Sequence, residues 1–146
     1  MLKRSSENAI RALVYIQLRN WEGSRPGITE IAREIEAPFA FTAKILQTLT
    51  RHLLINSIKG RGGGFFFSDD GYKLRLYDVI VVMEGNHLFK YCGFGFKKCK
   101  DENPCPLHDP FVKVREEFLS IVKIETIESL ALKIKNGKAV LNRITN

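Results

Sequence analysis

The sequence predicts a mainly α fold with one small β-hairpin, and three observations carry that expectation. A three- and four-residue apolar spacing runs through the first twenty positions. Two shorter helical patterns follow, interrupted at Ala37 and Pro38. A glycine-rich turn at 60–64 then separates two short runs of strand-forming residues.

Over residues 6–20, Ile10, Leu13, Val14 and Leu18 fall on one face, and Ser5 or Ser6 is available as a cap. Residues 21–27 carry two glycines and Pro26 and read as a loop. Thr29 is the expected N-cap of a short second helix that buries Ile31, Ala32 and Ile35. A third helix is expected over about 40–52. It turns Phe41, Ile45, Leu46 and Leu49 inward and Thr42, Ala43, Lys44, Gln47, Thr48 and Arg51 outward. Two short helices joined by a tight turn, the second basic on its outer face, form a helix-turn-helix pattern. Ile55, Ser57 and Ile58 start a hairpin, residues 60–64 turn it, and the three phenylalanines at 65–67 return it. A hairpin in that place, tipped by Lys59 and Arg61, reads as a wing.

Residues 76–84 are expected as a short buried helix ended by Gly85, although their β-branched content makes a strand the competing reading. Residues 86–108 read as a loop holding the cysteines. A helix resumes over about 109–124 with Val112, Phe118, Leu119 and Val122 on one stripe; Thr126 caps a last short helix over 127–135, closed by Asn136 and Gly137. The expected organisation is a winged helix-turn-helix domain over 1–75, followed over 76–146 by the cysteine loop and a dimerisation region. The 109–124 helix has little of its own chain to bury against, which points to packing on its copy in a homodimer.

The 146 residues carry a net charge of +7 and a pI near 9.5, which suits a polyanionic partner. Residues 1–75 hold 12 Lys and Arg against 7 Asp and Glu, while 76–146 hold 11 against 9. Residues 37–68 contain no acid at all, yet include Lys44, Arg51, Lys59 and Arg61. A solvated face usually mixes both signs, so the partner expected here is double-stranded DNA. Thr42, Lys44, Gln47 and Arg51 would face the major groove, and Lys59 and Arg61 would reach phosphates or the adjacent minor groove.

Other classes fit less well. No apolar run approaches the roughly 18 residues of a membrane span. Lys3 and Arg4 precede an apolar stretch in the manner of a signal peptide, but Glu7, Asn8 and Arg11 interrupt it; an amphipathic helix and a cytoplasmic location are expected. The glycines at 60–64 lack a phosphate-binding lysine and a surrounding βαβ pattern. There is no Ser/His/Asp set and no pocket-forming pair of carboxylates, so an enzyme is not expected; His52 reads as helix surface and His87 as a loop residue.

Cys92, Cys99 and Cys105 follow the pattern C-x6-C-x5-C, with His108 three residues beyond the last. An odd, clustered set of thiols in a cytosolic chain points to metal binding or redox sensing rather than a disulfide scaffold. Thiolate and imidazole are the ligands of zinc and of iron–sulfur clusters. Pro104 and Pro106 stiffen the loop, Gly93 and Gly95 let it curl, and Lys90, Lys97, Lys98 and Lys100 would lower thiol pKa values. Structural zinc usually takes tight C-x2–4-C knuckles, so the wide spacing places an iron–sulfur cluster ahead of zinc. Free cysteines or a thiol redox switch are the other readings.

These features together resemble the Rrf-type winged helix-turn-helix transcriptional regulators, the IscR-, NsrR- and CymR-like group. The resemblance rests on Ile31 and Ala32, the KILQTL run at 44–49, SIKGRGGGF at 57–65, DVI at 78–80 with Glu84 and Gly85, and the cysteine triplet. It implies a homodimer with crossed long helices that binds imperfect palindromes in double-stranded DNA, and a cluster that controls DNA affinity. The Cys105-x2-His108 pattern looks like the IscR-type arrangement, implying a 2Fe-2S cluster held by Cys92, Cys99, Cys105 and His108. NsrR-like members hold a 4Fe-4S cluster with a carboxylate from the partner's first helix. Glu7 is the nearest acid of that helix here, and Asn8 is no anionic ligand. The x6 gap is slightly longer than the commonest pattern, and CymR-like members lack the triplet.

Overall fold

The computed structural model describes residues 1–69 and 73–142; residues 70–72 and 143–146, which fall in the two expected segments, lie outside the described part. The chain runs α1 (Arg4–Trp21), α2 (Ile28–Glu34), α3 (Phe39–Arg51), β1 (Asn56–Ile58), β2 (Gly64–Phe66), α4 (Leu76–Glu84), α5 (His87–Lys90), α6 (His108–Ile124) and α7 (Ile127–Lys135). It is mainly helical with one antiparallel hairpin, as its patterning requires.

Helix α1 is the centre of the packing, touching α2, α3, α4, α7 and β2. Ala9, Ala12, Leu13 and Ile16 are wholly buried, and they meet Ile31, Ile35, Leu46, Leu49, Val79, Ile80 and Ala131 in one core. The alanines let neighbouring helices approach closely, and the branched side chains fill the space between. Residues from both halves of the chain therefore share one apolar interior. Ser6 is not a cap, as the sequence suggests, but a buried residue whose hydroxyl donates to Glu84 of α4. Glu84 Oε2 also accepts the Lys3 N–H at 2.9 Å, so an acid from another helix satisfies the start of α1.

Two helix ends follow from left-handed residues, and one helix start from a capping box. Helix α2 begins one residue before Thr29, with Gly27 at its N-cap, and stops at Ile35. Glu36 then takes φ 56°, with its N–H on the Arg33 carbonyl and that of Ala37 on Ala32. Helix α3 ends the same way at Leu53, φ 62°, whose N–H reaches Thr50 while the Leu54 N–H reaches Leu49. That double bond is the Schellman pattern, with leucine in the position that normally selects glycine. Helix α7 starts at Thr126, whose side chain accepts from Ser129 N–H at 2.9 Å while the Ser129 hydroxyl accepts from Thr126 N–H.

The segment 76–84 is helix rather than strand: it buries Leu76, Val79 and Ile80 and packs against α1 and α3. Helix α5, one turn long, is absent from the sequence reading. Four residues are too few to show a helical period, and Phe89 holds the turn in place between Tyr77 and Phe118, at centroid distances of 5.2 and 5.9 Å. No helix among the described residues is long and apolar enough to cross a membrane.

Candidate functional site

The basic surface is built on α3 and the hairpin. Ile45, Leu46 and Leu49 anchor α3 in the core, which leaves Lys44, Gln47 and Arg51 exposed along the opposite side at three- and four-residue steps. Thr42 does not join them. It is fully buried, and its Oγ1 donates to the Pro38 carbonyl at 3.0 Å, closing the first turn of α3. Its place in the sequence put it beside the basic residues, but one position in a helix is a 100° rotation, enough to carry it to the core side.

The wing is held rigidly at its base. In β1 and β2, Asn56 pairs with Phe66, Ser57 with Phe65 and Ile58 with Gly64. The far edge of β2 is tied to the α1–α2 connection: Phe65 N–H donates to the Pro26 carbonyl at 2.9 Å, and the Asn20 side chain bonds Ser24, Phe65 and Phe67. Gly64, at φ +141°, lies so close to this connection that a Cβ would sit 2.1 Å from the Arg25 carbonyl oxygen. The tip is free of such contacts, and Lys59 and Arg61 are both exposed there.

The second site lies on α5, α6 and the loop between them. The loop is fastened to α6 at Gly93, where an added Cβ would lie 2.1 Å from the Phe111 ring; Phe94 meets the same ring edge-on at 5.5 Å. Arg115 Nη1 donates to the Tyr91 carbonyl at 3.4 Å. These contacts bring together the three cysteines that the sequence spreads over 14 positions. Their Sγ atoms lie within 4.8 Å of one another, and Cys92 and Cys105 are 4.0 Å apart. His108, on the first turn of α6, places Nδ1 3.2 Å from Cys99 Sγ.

The thiols are not equivalent. The Cys105 N–H donates to Cys99 Sγ at 3.4 Å and His108 bonds the same sulfur, which pulls the Cys99 thiol from 9.0 down to about 7. Desolvation pushes Cys105 upward. The hydrogen bonds to Cys99 and then Asp101 raise His108. The sequence suggested that lysines would lower the thiol values, but local hydrogen bonds account for the shift, and Lys90, Lys97, Lys98 and Lys100 are exposed. Asp101 was not legible as part of the site; its Oδ1 lies 2.9 Å from His108 Nε2.

The donor set suits a thiophilic metal. Two thiolates sharing one tetrahedral ion, each at about 2.3 Å, stand roughly 3.8 Å apart. The 4.0 Å of Cys92 and Cys105 is close to that spacing, and Cys99 with His108 forms a second near pair.

A recognition helix followed by an anchored, basic wing defines the class of winged helix-turn-helix regulators. Within that class the chain belongs to the Rrf2 family: the family model described as an iron-dependent transcriptional regulator matches residues 2–133. The family is one of regulators, not enzymes. Protein aau3 of Rhizobium meliloti is 31% identical over 130 residues, covering 88% of this chain and 83% of that protein. The HTH-type transcriptional regulator NsrR of Oceanobacillus iheyensis is 25% identical over 141 residues, covering 96% and 93%. The fold is similar to that of the global cysteine regulator CymR of B. subtilis, with a TM-score of 0.73 at 17% identity, over 90% of this chain and 96% of that one.

Proposed function

We propose that this protein is a homodimeric, cytoplasmic, DNA-binding transcriptional regulator whose operator affinity is set by an iron–sulfur cluster held by Cys92, Cys99, Cys105 and His108. The observation that carries the reading is the convergence of three sulfurs within 4.8 Å, with an imidazole nitrogen against one of them, on a loop fastened to α6. Cys92, Cys99, Cys105 and His108 would hold a 2Fe-2S cluster, as the IscR-type resemblance implies, and thiolate and imidazole are donors that such clusters take. Such a cluster supplies a redox- and ligand-sensitive centre when bound. A zinc ion is the second reading, favoured by the compactness of the sulfur triad, since a single ion needs no separation of the two ligand pairs. A 4Fe-4S cluster also takes four protein ligands; in the arrangement that draws one of them from the partner's first helix, Asn8 is no anionic ligand, and its Oδ1 accepts from Arg11 at 3.1 Å.

Lys44, Gln47 and Arg51 enter the major groove, and Lys59 and Arg61 reach the phosphates or the adjacent minor groove. Residues 1–75 form the DNA-binding unit, and 76–146 carry the cysteine loop and the dimer contact. A twofold dimer on an imperfect palindrome spaces its half-sites by roughly one helical turn. Support for the dimer comes from α6, which has a second apolar stripe: Leu107, Phe111, Val114, Phe118 and Ile121 alternate steps of four and three, the spacing of a coiled-coil seam. Leu107, Val114 and Ile121 are 41%, 55% and 55% exposed in the single chain. Because the loop is clamped to Phe111 of this stripe, ligation at the cysteines and the crossing of two α6 helices are mechanically joined.

The test is a DNA titration under anaerobic conditions with cluster-loaded wild type and with Cys92→Ala. Weaker or altered operator selection by Cys92→Ala is expected. Identical binding to every operator would overturn the proposed switch.

A further inference from the structure

Within this reading of the cysteine loop as a metal centre, we infer that His108 presents Nδ1 rather than Nε2 to the metal, and that Asp101 is the positioning residue that holds the ring so. The ring has one nitrogen on each side: Nδ1 is 3.2 Å from Cys99 Sγ, and Nε2 is 2.9 Å from Asp101 Oδ1. An ionised carboxylate only accepts hydrogen bonds, so Nε2 must carry the proton in that contact. A metal takes the place of the proton that Nδ1 shares with Cys99 Sγ, and the Nδ1 lone pair then faces that sulfur. A carboxylate behind a ligating histidine fixes both the tautomer and the plane of the ring.

The placement of Asp101 is built into the backbone. Lys100 and Asn103 exchange N–H···O bonds of 3.3 and 2.9 Å, forming a tight turn with Asp101 inside it. The Asn103 side chain ties the turn back to the Lys98 carbonyl at 3.2 Å, and Lys98 itself takes φ 57°. On the other side, His108 N–H donates to the Cys105 carbonyl at 3.0 Å at the start of α6. The histidine thus stands between a turn that follows Cys99 and a helix start that follows Cys105. Asp101 is exposed, so replacing it removes nothing from the core.

The probe is zinc, added to metal-free full-length protein labelled with 15N-histidine. Long-range 1H–15N correlation spectra then show which ring nitrogen is protonated and which is metal-bound. The expected result is zinc on Nδ1 of His108 with Nε2 protonated. Asp101→Ala should lose about 10- to 100-fold in zinc affinity in a chelator competition and should mix the ring tautomers. Asp101→Asn, which keeps an acceptor oxygen, should recover part of both. Zinc on Nε2, or an Asp101→Ala protein with wild-type affinity and an unchanged tautomer, overturns the inference. Zinc held by the thiolates with no change at His108 also overturns it while leaving the cysteine site intact; no uptake of zinc or iron at all removes both the inference and the metal-centre reading.

Discussion

Replacing Ile121 by Glu should dissociate the proposed dimer without unfolding the chain. Ile121 lies on the second stripe of α6 and is 55% exposed, so about half of its side chain remains to be covered by a partner. Full burial of such a side chain is worth about 1.5–3 kcal/mol, which leaves roughly 1–1.5 kcal/mol per subunit. A twofold interface counts the loss twice, for ~2–3 kcal/mol, and at about 1.4 kcal/mol per factor of ten the dimer Kd rises by roughly 30- to 150-fold. That figure is a floor, because the two carboxylates must also be desolvated against an apolar seam. Sedimentation equilibrium over nanomolar to micromolar protein measures the shift, and far-UV circular dichroism checks that the helices persist. An Ile121→Glu protein that dimerises like wild type would refute the assignment of this stripe to the dimer contact.

Three further outcomes are expected. Arg61→Ala should weaken binding to all DNA sequences and lower the salt slope by about one, because a phosphate contact releases one counterion; an unchanged slope in a fluorescence titration would remove Arg61 from the phosphate contacts. In metal-free protein, alkylation should reach Cys99 before Cys105. With the Cys99 thiol lowered to about 7, its rate should rise through pH 7 and level off about a unit above, whereas Cys105, shifted upward, should still be accelerating there; peptide mass mapping across pH 6–9 distinguishes the two. Leu53→Gly should stabilise the fold, since a left-handed leucine costs roughly 1–2 kcal/mol and glycine's extra freedom in the unfolded chain returns only about 0.4–1 of it. The leucine is 86% exposed, so little packing is lost. A gain of ~0.5–1 kcal/mol raises Tm by roughly 1–4 °C for a chain of this size, and a fall in Tm would mean that Leu53 has a contact within the chain that its exposure hides.

Much of this was legible from residues alone, where the signal is local. The glycine-rich turn, the break at Ala37 and Pro38 and the Thr126 cap each depend on a few neighbouring residues, and each lies where the chain was expected to turn or stop. The misses have a common physical cause, which is that they depend on contacts remote in sequence. Thr42 is inward because α1 and α2 lie over that face of α3. Ser6 is claimed by Glu84, 78 residues away. The outer stripe of α6 was hidden by the inner one, since a helix with two apolar faces blurs its own period. At the thiol site the ligand types were visible in the C-x6-C-x5-C-x2-H spacing, but Asp101 was not. An acid two residues after a cysteine carries no meaning until a turn folds it back onto the histidine.

The measurement that bears most directly on the proposed function is the absorption spectrum of protein purified without oxygen, with iron and acid-labile sulfide determined on the same sample. The expected result is brown protein with about two irons and two sulfides per subunit, and its loss in Cys92→Ala. Colourless protein that holds zinc or no metal, and that iron and sulfide fail to reconstitute, would contradict the cluster while leaving the winged helix-turn-helix and its basic surface in place.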